Sequence, residues 1–165
     1  MNIDRRAFLG FGGAAIVAGI AFTLPGREGG AVAQPGNFPF RLTDAQWRRR
    51  LNPAQYATLR QAATERAGSS PLNNEHRRGI FHCAGCALPL YSSAAKFESR
   101  TGWPSFFRPL PHAIVTRADH SLFEARTEVL CARCGGHLGH VFNDGPRPTG
   151  LRYCMNGVAM TFQAT

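Results

Sequence analysis

Four of the five cysteines form two identical pairs. Cys83 and Cys86 are separated by two residues, as are Cys131 and Cys134, and 44 residues lie between the two pairs. Each Cys-x-x-Cys pair can present two thiolates from one tight turn, and two such pairs complete a closed tetrahedral site typical of structural zinc. Two disulfides are the alternative in an oxidising compartment. The spacing favours one structural Zn²⁺ ion bound by all four thiolates.

The fifth cysteine, Cys154, lies outside these pairs. An unpaired thiol is either a buried, inert side chain or a reactive one. Strand alternation over residues 151–156 places Cys154 on the same face as Arg152 and Asn156, opposite the apolar side chains. A nearby cation favours the thiolate, which is the reactive form. We therefore predict that Cys154 is a nucleophile.

Two histidines and a tryptophan are candidates to complete such a site. His137 and His140 closely follow the second cysteine pair. Because the four cysteines already satisfy one metal ion, these imidazoles are better suited to polarising a substrate oxygen or relaying a proton. Trp103 lies in a turn between a glycine and a proline, where its ring can wall a pocket for a methyl or thioether group. Surface histidines and a rim aromatic that covers the core are the alternatives.

Two short helices are predicted ahead of these residues. Thr43 with Gln46 forms a capping box that predicts a helix through Arg50. Asn52 followed by Pro53 predicts the start of a second helix, which buries Tyr56 and Leu59. We expect the glycine and proline of residues 68–71 to end it.

Antiparallel strands are predicted from Gly79 onward, where short apolar runs alternate with glycine and proline. Near the C-terminus, the apolar positions change parity at Asn156-Gly157. Since one extra residue in a strand reverses the faces that follow, this change predicts a β-bulge at Gly157.

The N-terminal segment predicts export. Arg5-Arg6 precedes an apolar run, and the small residues 31–33 fit a signal-peptidase site. Residues 1–33 are therefore predicted to be a twin-arginine-type signal for the periplasm, cleaved after Ala33. An uncleaved anchor is the alternative. Residues 34–42 are predicted to be a linker and residues 43–165 one folded domain.

The basic charge does not indicate a nucleic-acid partner. The net charge is +9, and residues 34–165 retain 16 basic and 8 acidic residues, or +8. Eighteen of the nineteen basic residues are arginines scattered along the chain, with no run longer than residues 48–50. We assign the charge to a solvated surface. No feature indicates an oligomer, so we expect a monomer.

Several longer motifs resemble those of the type B methionine-R-sulfoxide reductases, and the similarity covers residues 47–162. The motifs are residues 96–99 (KFES), 102–106 (GWPSF), 137–142 (HLGHVF), 144–146 (DGP) and 148–156 (PTGLRYCMN). Their length and order make this resemblance specific.

The resemblance implies a mainly β fold of two antiparallel sheets, the Mss4-like β-tent, with short N-terminal helices and a structural zinc. It implies reduction of methionine-R-sulfoxide, free or in proteins, with a sulfenic acid formed on the nucleophile. A thioredoxin-like or other thiol would then reduce that sulfenic acid. The implied residues are Cys154 as nucleophile, His140 and Asn156 as orienting or polarising groups with His137 close by, and Trp103, Phe142 and Arg152 for substrate binding.

Three positions depart from the family pattern. Thr101 stands where many members have a resolving cysteine, so we expect the sulfenic acid to be reduced directly by an external thiol, or by a cysteine of the zinc site at the cost of the metal. Leu130 stands where the family usually has arginine, and Gly157 where it usually has serine. We expect both to touch the site. Loss of the arginine is expected to raise the pKa of the Cys154 thiol or to weaken substrate binding, unless Arg152 or Arg126 compensates. A zinc-ribbon-like binding module and an inactive zinc scaffold are the competing interpretations.

Overall fold

The computed structural model describes residues 37–120 and 125–165. The predicted export signal, residues 1–33, lies outside the described residues. Within the described ranges, no helix has the length and apolar character needed to cross a membrane.

The two predicted helices are α1 (Asp44–Arg50) and α2 (Pro53–Gln61). Thr43 and Asn52 cap them, each within a complete capping box, so the predicted starts of both helices are confirmed. The predicted end of α2 is wrong. Ala62 adopts a left-handed conformation with φ 56° and ends the helix well before residues 68–71.

Nine strands within the described residues form two antiparallel sheets, which confirms the expected fold class. The three-stranded sheet has the order β2-β1-β9, and the six-stranded sheet has the order β3-β4-β8-β7-β6-β5. The strands are β1 (Gly79–Cys83), β2 (Pro89–Ser92), β3 (Lys96–Phe97), β4 (Ser105–Phe106), β5 (Ile114–Asp119), β6 (Arg126–Cys131), β7 (His137–Phe142), β8 (Arg152–Met155) and β9 (Met160–Ala164).

The predicted bulge at Gly157 is wrong, although the change of parity that suggested it is real. A 3-10 turn, Gly157–Ala159, carries the chain from β8 to β9. These strands belong to different sheets, since β8 pairs with β4 and β7 while β9 pairs with β1. The apolar positions change parity because the chain changes sheets.

The core is formed by side chains from both sheets. Phe81 and Tyr91 from the three-stranded sheet meet Phe106, Leu138 and Met155 from the six-stranded sheet, and all five are fully buried. Tyr91 stacks on Phe106 with ring centroids 4.3 Å apart and donates a hydrogen bond to the sulfur of Met155 at 3.2 Å. The core therefore holds the buried face of β8 in place through Met155, and Cys154 is the residue directly before it.

Candidate active site

The two cysteine pairs converge on one buried cluster. Cys83 and Cys131 end strands β1 and β6, and Cys86 and Cys134 lie in the turns that follow. The four sulfur atoms lie within 4.8 Å of one another, with 3.7 Å between Cys83 and Cys134 and 3.5 Å between Cys86 and Cys131.

These separations match a tetrahedral metal site. Zinc–sulfur bonds of about 2.3 Å give sulfur–sulfur edges of about 3.8 Å. A disulfide requires about 2.05 Å, and all four thiols are free. The cluster can hold a metal ion and joins the turn after β1, in one sheet, to the turn after β6, in the other.

Three arginines brace the turns that carry the cluster. Arg50 donates a hydrogen bond to the carbonyl of Gly85 at 2.6 Å. Arg60 donates to the carbonyl of Cys134 and Arg133 to that of Cys86, both at 3.1 Å. These three arginines therefore have a structural role in the basic chain. Their positive charges lie near four thiolates, which would carry negative charge when metal is bound.

Cys154 lies in a row of side chains that crosses the six-stranded sheet. It pairs directly with Ser105 of β4 on one side and with His140 of β7 on the other. His140 in turn faces Glu128 of β6, which faces Arg117 of β5. Directly opposed residues in antiparallel strands project to the same face, so the nucleophile candidate shares a surface with an imidazole and a carboxylate.

Gly139 allows β7 and β8 to approach closely enough for this pairing. A Cβ atom at residue 139 would lie 2.1 Å from the carbonyl oxygen of Cys154 and 3.0 Å from the Cα of Met155. Any side chain would push the strands apart, so glycine is needed beside His140.

A pocket of about 130 Å³ opens at Cys154. Five of the predicted site residues line it together, which the sequence could not show directly. They are Trp103, His140, Phe142, Cys154 and Asn156, joined by Thr64, Arg126 and Gly139. The pocket combines two aromatic rings, a thiol, an imidazole and an amide in a space suited to one small group.

A bulge brings both histidines of β7 to one face. His137 pairs with Leu130 and Gly139 pairs with Val129, so Leu138 is the extra residue. Without it, positions 137 and 140 would project to opposite faces. The centroids of the two imidazole rings lie 5.4 Å apart. Only His140 of the two lines the pocket, whereas His137 is buried, with 4% of its surface exposed.

Each histidine is held by a carboxylate that also contacts an arginine. His140 Nε2 lies 2.7 Å from Asp119 Oδ2, which accepts a hydrogen bond from Arg126 at 2.7 Å. Burial lowers the pKa of His140, and Asp119 partly offsets this effect by stabilising the imidazolium. His140 is thus a weak base with an adjacent carboxylate that can support its acid form.

The second histidine has a matching arrangement. His137 Nδ1 lies 2.7 Å from Glu128 Oε1, and Arg117 donates to Glu128 Oε2. Burial opposes the charge on Glu128, but the hydrogen bonds from His137 and Arg117 outweigh this effect and lower the pKa of Glu128. Glu128 therefore fixes the orientation of the buried His137 ring, which packs edge-on against the His140 ring.

Glu65 holds two of the predicted site residues. Its N–H donates to Asn156 Oδ1 at 3.0 Å, and its carbonyl accepts from Trp103 Nε1 at 3.2 Å. Its carboxylate accepts from the N–H groups of Gly157 and Val158, at the start of the 3-10 turn. The early end of α2 places Glu65 in the segment that makes these contacts.

Arg152 does not line the pocket. Its guanidinium makes two 2.8 Å hydrogen bonds to Asp144 and lies 4.4 Å from the centroid of Phe142. The pKa of Arg152 is raised mainly by Asp144, with a smaller contribution from Cys154. Arg152 thus holds the Phe142 ring in place while remaining a cation near the thiol.

The three departures from the family pattern lie at different distances from the pocket. Thr101 Oγ1 lies 3.8 Å from Cys154 Sγ, so a hydroxyl stands beside the nucleophile candidate. Leu130 is buried opposite His137 and does not line the pocket, whereas Arg126 does. Gly157 is buried against Ser70 and Glu65, behind Asn156.

Asp119, Glu128 and Glu65 were not identified from the sequence. A signal for the first two was present, because opposite charges occupy mirrored positions in the sequences of β5 and β6. Arg117 faces Glu128, and Asp119 faces Arg126. Such mirrored pairs indicate hairpin register. Glu65 carries no comparable signal, since its partners lie far away in the chain.

Comparisons with known proteins agree with this site. A family model described as the SelR domain matches residues 51–164. The peptide methionine sulfoxide reductase MsrB of Leptospira interrogans is 48% identical over 128 residues, which are 77% of this chain and 98% of that protein. MsrB of Thiobacillus denitrificans is 53% identical over 121 residues, 73% of this chain and 92% of that protein. The chain therefore belongs to the peptide methionine sulfoxide reductase MsrB family.

Proposed function

We propose that the protein reduces methionine-R-sulfoxide, free or in oxidised proteins, to methionine through Cys154. The observation that carries this proposal is the direct pairing of Cys154 with His140 in a pocket walled by Trp103 and Phe142. Membership of the MsrB family supports the same reaction class.

The pocket favours a small, partly apolar group. A volume of about 130 Å³ accommodates the end of one side chain rather than a peptide. The rings of Trp103 and Phe142 suit the ε-methyl group, and His140 and Asn156 are two of the polar groups that line the pocket and could contact the sulfoxide oxygen. The rest of a protein substrate would remain outside the pocket.

The chemistry requires a nucleophile and a proton donor on one substrate. A sulfoxide sulfur becomes electrophilic when its oxygen accepts a proton or a strong hydrogen bond, which His140 is placed to provide. The Cys154 thiolate attacks, and the sulfoxide oxygen passes to the cysteine sulfur. Two electrons move from the thiol to the substrate sulfur, so methionine and a sulfenic acid on Cys154 result.

Regeneration requires a thiol from outside the site. Thr101 lies beside the Cys154 sulfur, where a resolving cysteine would be needed, and the remaining cysteines form the buried cluster. Two equivalents of an external thiol reduce the sulfenic acid, which releases water and a disulfide and restores Cys154. A thioredoxin-like protein or a small thiol is the proposed reductant.

The decisive experiment offers R and S epimers of a methionine sulfoxide peptide to the protein with dithiothreitol. We expect consumption of the R epimer alone and complete loss of turnover in Cys154→Ser. Consumption of the S epimer alone, or turnover that survives in Cys154→Ser, would overturn the proposal. No turnover of either epimer would favour the inactive zinc scaffold or the binding module.

The cysteine cluster is proposed to hold one structural Zn²⁺ ion through Cys83, Cys86, Cys131 and Cys134. Its four thiolates leave no open coordination position, so zinc supplies folding stability rather than catalysis. Metal analysis should find about one zinc per chain, and thiol titration of the native protein should find one reactive thiol, Cys154.

Export to the periplasm is proposed from residues 1–33, through the Arg5-Arg6 pair and the small residues 31–33. Fractionation of expressing cells, with mass measurement of the product, tests this proposal. We expect a periplasmic chain beginning at Gln34 and retention of Arg5→Lys/Arg6→Lys in the cytoplasm. A full-length chain in the membrane fraction would instead indicate an uncleaved anchor.

A further inference from the structure

We propose that Thr101 is a catalytic residue whose hydroxyl donates a hydrogen bond to the Cys154 sulfur and stabilises the thiolate. The inference rests on the proposed function, because it concerns the nucleophile of that reaction. Thr101 stands at the position of the resolving cysteine of other family members, and the proposal gives its hydroxyl a chemical role there.

Three hydroxyl groups lead to the Cys154 sulfur. Ser105 Oγ lies 2.8 Å from Ser99 Oγ, and Ser99 Oγ lies 2.8 Å from Thr101 Oγ1. Thr101 Oγ1 lies 3.8 Å from Cys154 Sγ, within range of a hydrogen bond to sulfur. Ser105 is 1% exposed and pairs with Cys154 across the strands, so the chain of hydroxyls is anchored to the sheet itself.

The protons of this chain can be ordered toward the sulfur. Ser99 Oγ can accept from Ser105 and, at 3.4 Å, from the N–H of Thr101, which leaves its own proton for Thr101 Oγ1. Thr101 then has one proton left, and Cys154 Sγ is the acceptor within reach. Ser105 can also donate to the carbonyl of Trp103 at 3.1 Å, but Ser99 is its nearer acceptor.

Two other polar neighbours have their main hydrogen bonds with other groups. The Asn156 amide donates to the carbonyl of Leu138 at 3.1 Å. Arg152 makes its bidentate contact with Asp144 and has a smaller interaction with Cys154, so the Thr101 hydroxyl adds to this cation. A thiolate accepts hydrogen bonds more strongly than a thiol does, so a donor at Thr101 shifts the equilibrium toward the reactive form.

The test compares Thr101→Val, which keeps the shape of the side chain without the hydroxyl, with Thr101→Ser, which keeps the hydroxyl. Alkylation of Cys154 by iodoacetamide is followed across pH, with Cys154→Ser as the background. One hydrogen bond of ordinary strength predicts about fivefold slower alkylation of Thr101→Val at neutral pH, and a rate curve displaced to higher pH. Thr101→Ser should alkylate at a rate close to wild type.

Alkylation of Thr101→Val at the wild-type rate would overturn the inference, as would a Thr101→Ser variant that is as slow as Thr101→Val. If Thr101→Val fails to fold, Ser99→Ala provides the same test, since it removes the group that orients the Thr101 hydroxyl. Slower alkylation supports the inference, and an unchanged rate contradicts it.

The assay uses no sulfoxide, so it separates this inference from the proposed function. A wild-type protein that reduces neither sulfoxide epimer would contradict the function, whatever the alkylation rates are. If both hold, kcat/KM of Thr101→Val for the R epimer should fall by the same factor as its alkylation rate.

Discussion

At the residue scale, the pKa of His140 depends on the carboxylate of Asp119. Burial lowers the pKa of His140 because a charged imidazolium loses its hydration, and Asp119 at 2.7 Å acts in the opposite direction. Arg126 contacts the same carboxylate and, as a cation, further lowers the pKa of His140. The neighbouring His137 acts in the same sense. Asp119 therefore raises the pH at which His140 loses its proton.

Asp119→Asn is expected to reduce the fraction of His140 that is protonated. Without the carboxylate, the pKa of His140 falls further, so the protonated form is lost at a lower pH. The alkaline limb of the kcat/KM profile for the R epimer should move to lower pH, with a loss of about tenfold to hundredfold at neutral pH. Asp44→Asn, which removes an exposed carboxylate of α1 paired with Arg48, is the matched control. An unmoved alkaline limb would show that His140 is not the acid.

Thr101→Cys is expected to convert the site into a two-cysteine site. The replaced hydroxyl lies 3.8 Å from the Cys154 sulfur, so we expect the introduced thiol to lie close enough to form a disulfide. After one turnover without reductant, wild type should carry a sulfenic acid that dimedone traps. The variant should instead show, by mass spectrometry, a disulfide between the introduced thiol and Cys154. Dimedone trapping equal to that of wild type would contradict the expected geometry.

At the element scale, two short irregular segments place the site. The Leu138 bulge turns His137 and His140 to one face of β7, and the 3-10 turn after Asn156 carries the chain to the other sheet. That turn packs tightly. A Cβ atom at residue 157 would lie 1.9 Å from Ser70 Oγ and 2.5 Å from Ser70 Cβ, so the serine usual in the family cannot be accommodated here without a shift.

Gly157→Ala is therefore expected to destabilise the protein by about 1–3 kcal/mol through overpacking. Ser70→Gly removes both clashing atoms, at the loss of the bond from the N–H of Leu72 to Ser70 Oγ. The double variant should recover part of the loss, so a double-mutant cycle in chemical denaturation should give a favourable coupling energy. Additive effects of the two substitutions would contradict contact between residues 70 and 157.

At the scale of the whole molecule, the cysteine cluster joins the two sheets. Cys83 and Cys86 belong to the turn after β1, and Cys131 and Cys134 to the turn after β6. A bound metal would therefore restrain segments that are distant in the chain. Because its ligands must be deprotonated, metal affinity falls as the pH falls.

Cys86→Ser is expected to lower the zinc content and the thermal midpoint together, the latter by about 10 °C or more. Removal of metal from the wild-type protein by a chelator should have the same effect. Cys154→Ser is the matched control, since it removes a thiol outside the cluster and should keep both values. Unchanged zinc content in Cys86→Ser would exclude the four-cysteine site.

The sequence by itself determined the features that depend on neighbouring residues. The starts of both helices, the two Cys-x-x-Cys turns and the face shared by Cys154 and Asn156 follow from spacings of one to three residues. The long motifs also identified the family, because several of them occur in the expected order. Local patterns of this kind depend on backbone geometry that the rest of the chain does not change.

Only the tertiary structure decided which groups surround Cys154. The pairing of Asp119 with His140 depends on strand register, and the approach of Thr101 to the sulfur depends on how the loop before β4 lies against β8. Arg152 was expected to serve the substrate, but it contacts Asp144 and Phe142. The Gly157 turn was mistaken for a bulge because one-dimensional parity cannot distinguish a bulge from a change of sheet. These outcomes depend on contacts between residues far apart in the chain, and packing of the two sheets fixes them.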